Sequence, residues 1–194
     1  GMGTEKLEEE GIKIHYKDNI SLVPVKFMDR DNTIIIYTPA IPDDMSEKVF
    51  FKEGNFTMLK RSEILGELTD GKKALCVAGT HGKTTTSTLL AHILNQRAEK
   101  VNAFLGGISK NYESNLIVSS ADQVVVEADE YDRSFLRLKP NMAIVTATDA
   151  DHLDIYGTKE ELLKTFAEFT SLIEENGVLV MKKGIEMVPN VKES

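Results

Sequence analysis

The chain has 194 residues, 41% hydrophobic and 28% charged, which is typical of a globular protein with one or two domains. Its formal net charge of −8 offers no positive field to phosphate backbones or anionic lipids, so nucleic acids and membrane surfaces are not expected partners. A single cysteine, no apolar signal stretch and no run long enough to cross a bilayer predict a cytoplasmic protein.

The first part of the chain has patterns that predict a mixture of short helices and strands. Charged and alternating patterns and one β-branched run support these assignments, and a proline ends the β-branched run. In chain order they predict a helix at 5–10, strands at 12–16 and 33–38, a helix at 44–52, a strand at 56–59 and a helix at 62–68. A polar, glycine-containing stretch at 69–73 follows, and we place a domain boundary near residue 72.

After this boundary the predicted strands become continuous apolar runs. Such runs are typical of a parallel sheet whose two faces are both covered by helices. The runs are at 74–78, 124–128, 142–146 and 178–181, and the covering helices are predicted at 83–96 and 159–175. The fold class is therefore α/β, with a P-loop-type, mostly parallel sheet and flanking helices over 73–194.

The stretch CVAGTHGKTTTSTLL, residues 76–90, predicts a phosphate site. It has the strand, tight turn and helix start that such a site requires, although Val77 stands where the general pattern has a glycine. Amides at the helix start, the positive end of its dipole and the Lys83 ammonium suit phosphate oxygens, and the Thr84 hydroxyl suits Mg²⁺. The predicted ATP-binding residues are Gly79, Thr80, His81, Gly82, Lys83, Thr84 and Thr85.

Two later strands end in candidate ligands. Glu127 closes the run at 124–128, where a carboxylate can reach a magnesium ion held between Thr84 and the phosphates, and we read Asp129, Glu130 and Asp132 as solvated loop charges. His152 follows the next strand and is available to a second cation or to an acyl phosphate. A strand-end surface charge and a surface-loop histidine are the alternatives.

The compact loop Gly-Thr-His-Gly-Lys-Thr-Thr at 79–85 resembles that of the Mur ligase superfamily. Its histidine, His81, is typical of the alanine-adding members and of the muropeptide ligases. Residues 124–135 and 149–154 resemble two further segments of the family, and 37–42 resembles the stretch that closes its first domain. The resemblance covers nearly the whole chain.

The resemblance implies an ATP-dependent ligase that joins L-alanine to the carboxylate of UDP-N-acetylmuramate through an acyl phosphate, with ATP and Mg²⁺. Lys83 and His152 are then the expected catalytic residues, and Thr84, Glu127 and His152 the expected metal ligands. Lys83 and the metal would offset charge on the transferring phosphoryl group. In the family, residues 104–112 lie toward the sugar nucleotide, although a Gly-Gly turn with an exposed loop is an equally good interpretation.

The sequence departs from the family in two ways. Phe166 stands where several Mur ligases have a carbamylated lysine, with Lys164 two residues away, so no carbamate is expected. The chain also begins within the first domain and ends before the adenine site, which predicts a partial UDP-binding Rossmann-like domain at 1–72 and a partial central ATP-binding domain at 73–194. We expect the isolated chain to be inactive.

Three other functions are compatible with parts of this sequence to different degrees. A folate-type ligase is disfavoured, because it is expected to lack His81 and the segment at 127–135. A muropeptide-recycling ligase that takes a tripeptide stays open, and so does a non-catalytic nucleotide-binding module. The oligomeric state is open as well.

Overall fold

The computed structural model describes residues 2–38, 40–151 and 153–192, and its chain divides into two compact units, Gly1–Arg61 and Ser62–Ser194. The division falls before the boundary that we predicted near residue 72. The reason is that the helix following the first unit packs on the second: Leu65 contacts its core, and a Cβ added to Gly66 would lie 2.6 Å from the carbonyl oxygen of Arg137. The assignment of UDP- and ATP-binding roles to the two units stays a prediction.

The first unit contains a small βαβ arrangement. Strands β1 (Ile34–Tyr37) and β2 (Thr57–Lys60) pair in parallel, and helix α2 (Ser46–Glu53) lies between them in the chain. Helix α1 (Met2–Glu9) and three 3₁₀ turns precede them. The strand predicted at 12–16 is wrong, because these residues are largely exposed and pair with no strand in the described part of the chain.

The second unit is built on a six-stranded sheet in the order β5-β4-β6-β3-β7-β8. All neighbouring strands are parallel except β5, which is antiparallel to β4. The mostly parallel α/β class is therefore confirmed. The strands are β3 (Lys73–Ala78), β4 (Asn102–Ser109), β5 (Ser114–Ile117), β6 (Gln123–Glu127), β7 (Met142–Val145) and β8 (Val178–Met181).

Helices cover this sheet, and buried side chains form two clusters. One contains Phe166 and Phe169 of α6, which pack on Phe135 at ring-centroid distances of 5.3 and 4.8 Å. The other includes Ala91 of α4 and Val125 of β6. Burial on both faces explains the continuous apolar strand sequences. The helices are α3 (Arg61–Thr69), α4 (Lys83–Asn95), α5 (Leu153–Tyr156) and α6 (Lys159–Ser171).

None of the helices in the described ranges is both long enough and apolar enough to cross a membrane.

Candidate nucleotide site

The predicted phosphate loop joins β3 to α4 at the carboxyl edge of the sheet. β3 lies between β6 and β7. The connection after β3 runs to β4 on one side, whereas the connection after β6 crosses to β7 on the other side, and open α/β sheets bind ligands at such a point. Gly79 has φ +139°, and a Cβ there would lie 2.1 Å from Oγ1 of Thr146. Gly82 adopts a left-handed conformation with φ +81°. Both positions therefore require glycine.

Hydrogen bonds attach this loop to the end of β7. The amide of Thr80 donates to the carbonyl of Ala147 at 3.0 Å, and the Thr80 hydroxyl accepts from the amide of Asp149 at 3.1 Å. The hydroxyl of Thr146 lies 2.5 Å from the carbonyl oxygen of His81. Because Thr80 is buried and both its amide and its hydroxyl make these bonds, its predicted ligand contact would have to replace one of them and stays a prediction.

The start of α4 presents backbone amides. Gly82 precedes the helix and makes no side-chain cap, and the amide of Thr86 bonds to its carbonyl at 3.0 Å. Helix geometry gives the amides before Thr86, including those of Lys83, Thr84 and Thr85, no intrahelical acceptor. These donors and the positive end of the helix dipole suit an anion.

Lys83 is held by two partners next to the loop. Its Nζ donates to the carbonyl of Gly79 at 2.9 Å and lies 2.9 and 2.8 Å from Oε1 and Oε2 of Glu130. The Glu130 side chain is 0% exposed, so our reading of it as a solvated loop charge is wrong. It is buried because the chain turns inward after β6, where the Tyr156 hydroxyl donates to the Glu130 carbonyl. Sequence reasoning missed this carboxylate.

The predicted metal ligands Thr84 and Glu127 meet in the structure. The Thr84 hydroxyl donates to Oε1 of Glu127 at 2.9 Å. The amide of Gly106 and the hydroxyl of Ser87 bond to Oε2 at 2.7 and 3.4 Å, and sequence reasoning missed both contacts. One carboxylate and one hydroxyl fit Mg²⁺, which usually takes few protein oxygens together with phosphate oxygens.

The rest of the predicted site is less tightly organised. His81 and Asp149 approach to 4.0 Å and both side chains are exposed. Thr85 is exposed as well. His152 lies outside the described residues. No group of three or more His, Cys, Asp or Glu side chains able to hold a metal occurs within the described ranges.

A small cleft lies beside the loop, at the carboxyl ends of β7 and β8. Its volume is about 130 Å³, and it is lined by residues 146–149, Lys159 and residues 182–186. Lys159 and Glu186, which both line the cleft, form an ion pair at 2.6 Å. The cleft is too small for a whole nucleotide, since ligand pockets usually measure about 300–1,000 Å³.

A parallel sheet, a glycine loop between strand and helix, and a lysine and threonine at the helix start define a P-loop-type nucleotide-binding domain. Residues 77–194 match the family model described as the Mur ligase middle domain. The chain belongs to the Mur ligase family.

Curated relatives and solved structures agree with this membership. The chain is 52% identical to the UDP-N-acetylmuramate–L-alanine ligase of Parabacteroides distasonis over 98% of its own length. It spans about two fifths of the length of the curated relatives it matches, 41% in this case.

Two crystal structures have similar folds. The UDP-N-acetylmuramate–alanine ligase of Thermotoga maritima superposes with a TM-score of 0.79 at 27% identity, covering 95% of this chain and 41% of that one. The UDP-N-acetylmuramate:L-alanyl-gamma-D-glutamyl-meso-diaminopimelate ligase of Neisseria meningitides gives a TM-score of 0.82 at 21% identity, covering 95% and 61%. At that identity, the second likeness shows the fold alone.

Proposed function

We propose that the protein is an ADP-forming ligase that joins L-alanine to the carboxylate of UDP-N-acetylmuramate, a step in peptidoglycan precursor synthesis. The observation that carries the proposal is 52% identity, over nearly the whole chain, to a ligase with that name. The nucleotide site supports it, because amide formation of this kind requires ATP to activate the carboxylate. The proposed location is the cytoplasm.

The phosphate loop would bind ATP through backbone amides and the Lys83 ammonium. The α4 amides and Lys83 would hold β- and γ-phosphate oxygens, and the left-handed glycine Gly82 lets the backbone approach them. Thr84 and Glu127, 2.9 Å apart, would hold Mg²⁺. When bound, the ion supplies charge neutralisation during phosphoryl transfer.

The chain's own residues would mainly position the reacting groups and neutralise their charge. Lys83 would face the phosphoryl group as the sugar-nucleotide carboxylate attacks it, which leaves an acyl phosphate and ADP. The L-alanine amine then attacks the acyl carbon and phosphate leaves. The sequence position of His152, after β7, supports a role at the acyl phosphate or a second cation.

The residues described here would supply only part of that machinery. Since the named relatives are more than twice as long, we propose that the 194 residues alone bind nucleotide without ligating. No observation favours the tripeptide acceptor, because the structural likeness to the muropeptide ligase shows only the fold.

Mass spectrometry of the products formed by the full-length enzyme tests the proposed function. The enzyme is incubated with MgATP, UDP-N-acetylmuramate and either L-alanine or the tripeptide, and the product with L-alanine is expected to dominate. Glu127→Gln should remove it, whereas Lys72→Ala, a change at an exposed lysine paired with Asp122, should not. Turnover with the tripeptide alone would contradict the proposal.

A further inference from the structure

Glu130 is a buried carboxylate beside the phosphate loop, and none of the proposed contacts to nucleotide or metal uses it. It is 0% exposed, yet it lies against the most important cation of the loop, with both oxygens within 2.9 Å of Lys83 Nζ. The same ammonium donates to the carbonyl of Gly79 at 2.9 Å. Lys83 is therefore held in a defined place, and part of its charge is balanced by the protein itself.

Hydrogen bonds fix the backbone that carries the Glu130 carboxylate. The Glu130 carbonyl accepts hydrogen bonds from the Tyr156 hydroxyl and from the amide of Arg133, the latter at 2.9 Å. Arg133 has a left-handed backbone with φ +60°, and its guanidinium lies 5.4 Å from the Tyr156 ring centroid. Lys83, by contrast, carries its ammonium on a flexible four-carbon stem at the exposed loop.

We propose that Glu130 is a positioning residue that acts through Lys83. It holds the ammonium beside Gly79, so that the protein rather than the bound phosphate sets the place of this charge. Such an arrangement weakens ground-state binding of a polyphosphate and reserves the lysine for the charge that develops during transfer. Protein kinases require a comparable lysine–carboxylate pair. The inference rests on the proposed phosphate-loop function.

The charge on Glu130 then has a measurable effect on anion binding. Glu130→Gln preserves the shape of the side chain but releases the full charge of Lys83. Because a nearby carboxylate also repels phosphate directly, we expect the variant to bind a polyphosphate about tenfold more tightly. In a Lys83→Met background the same change should tighten binding much less, since it then removes only the direct repulsion between the carboxylate and phosphate.

Calorimetric titration of inorganic tripolyphosphate into the 194-residue chain, without Mg²⁺, tests this coupling. The set comprises the wild type, Glu130→Gln, Lys83→Met and the double variant. Asp132→Asn is the matched control, because it removes one negative charge from the same loop at an exposed position. Its effect should stay under about twofold at physiological salt, where exposed charges are screened.

The outcomes separate the inference from the function on which it rests. Tenfold tighter binding by Glu130→Gln, with a much smaller gain in the Lys83→Met background, supports positioning through the lysine, whereas equal gains in the two backgrounds overturn it. Unchanged or weaker binding by Glu130→Gln, when Lys83→Met binds more weakly than the wild type, overturns the inference and leaves the phosphate loop intact. A wild type that does not bind tripolyphosphate overturns both. A purely structural Glu130 would change the melting temperature and not raise affinity.

A second variant decides the question if Glu130→Gln does not give the wild-type circular dichroism spectrum. Glu130→Asp keeps the charge but withdraws it by one methylene, so Lys83 is partly released and binding should tighten two- to threefold. Affinity equal to or below that of the wild type would overturn the inference.

Discussion

The Thr84 hydroxyl and the Glu127 carboxylate meet at 2.9 Å, although 43 residues separate them in the chain. The contact exists because α4 begins and β6 ends at the same edge of the sheet. It joins two oxygen ligands of the kind that Mg²⁺ prefers, beside a helix start suited to phosphate.

Thr84→Val should remove the metal-dependent part of nucleotide affinity. Valine has nearly the shape of threonine but no oxygen, so Mg²⁺ would lose one ligand, and we expect the gain in affinity on adding Mg²⁺ to fall about tenfold. Calorimetric titration with a non-hydrolysable ATP analogue, once in the presence of Mg²⁺ and once with a chelator, measures this gain in affinity. Thr84→Ser is the control and should keep the gain. An unaltered gain in Thr84→Val would refute the metal assignment.

Lys83→Ala should strongly weaken nucleotide binding and also lower stability. A hydrogen bond from a charged group contributes about 1.5–3 kcal/mol, which corresponds to roughly 10- to 150-fold in affinity. The change also leaves the buried Glu130 without its cation, which costs about 3–5 kcal/mol of the free energy of unfolding.

Binding and folding losses at Lys83 can be separated. Lys83→Met combined with Glu130→Gln removes the buried charge as well as the cation, so the melting temperature should recover while nucleotide binding stays lost. Lys72→Ala serves as the surface control. If calorimetry shows unchanged nucleotide affinity in Lys83→Ala, the assignment of the loop as a phosphate-binding site is contradicted.

Gly106→Ala should displace the Glu127 carboxylate. An added Cβ would lie 2.2 Å from Oε1 and 2.4 Å from the carboxyl carbon of Glu127, so that side chain has to move and the bond from the Gly106 amide is lost. We expect the Mg²⁺-dependent gain to fall as in Thr84→Val. Gly107→Ala is the neighbouring comparison, because its Cβ meets only Cγ2 of Thr84 at 3.2 Å. Equal effects of the two changes would argue against this reasoning.

Cys76 should be unreactive in the folded protein and should make stability fall at high pH. Burial raises the pKa of its thiol to about 12, against an ordinary value of 9.0. Above pH 9 the unfolded thiol ionises while the folded one stays protonated, so the free energy of unfolding is constant below pH 9 and then falls by about 1.4 kcal/mol per pH unit.

Urea unfolding of the wild type and of Cys76→Ala between about pH 8 and pH 10 measures this contribution. The alanine variant lacks the thiol, so its stability should fall less over that range. Iodoacetamide should label the wild type only after unfolding. Rapid labelling of the native protein would show that the thiol is not buried.

His152→Ala should lower turnover of the full-length enzyme by orders of magnitude and leave ATP affinity nearly intact. This separation is expected if the imidazole acts at the reacting centre, where its loss affects the transition state rather than nucleotide binding. Steady-state kinetics and calorimetry on the same preparation measure the two quantities. A parallel loss of ATP binding would indicate a structural role instead.

The sequence predicted four of the six strands of the larger sheet well and missed the other two, β4 and β5, which lie together at one side of it. β3, β6, β7 and β8 are apolar over consecutive residues, which is a strong signal. β4 was missed because Gly106 and Gly107 interrupt it and resemble a turn, and the short polar β5 offers no alternation. At 12–16 the opposite error occurred, because a strand was predicted where none forms. A local alternation of apolar and polar residues cannot show whether a partner strand exists.

The site shows the same limit. Residues 79–85 and Glu127 could be predicted as site residues because each belongs to a local motif. The contact of Lys83 with Glu130 spans 47 residues and depends on how the chain turns after β6, so no local pattern separates Glu130 from its exposed neighbours Asp129 and Asp132.

The attachment of the phosphate loop to Thr146 and Ala147 has a genetic consequence. The loop's shape is encoded partly in residues 65 or more positions away, so substitutions there should appear in selections for altered nucleotide use. Gly79→Ala places its Cβ 2.1 Å from the Thr146 hydroxyl. A smaller residue at Thr146 would relieve that overlap, but the Cβ would still lie 2.9 Å from the backbone nitrogen of Ala147, at a φ of +139°. Substitutions at Thr146 should therefore alter nucleotide use in the unchanged loop without rescuing Gly79→Ala.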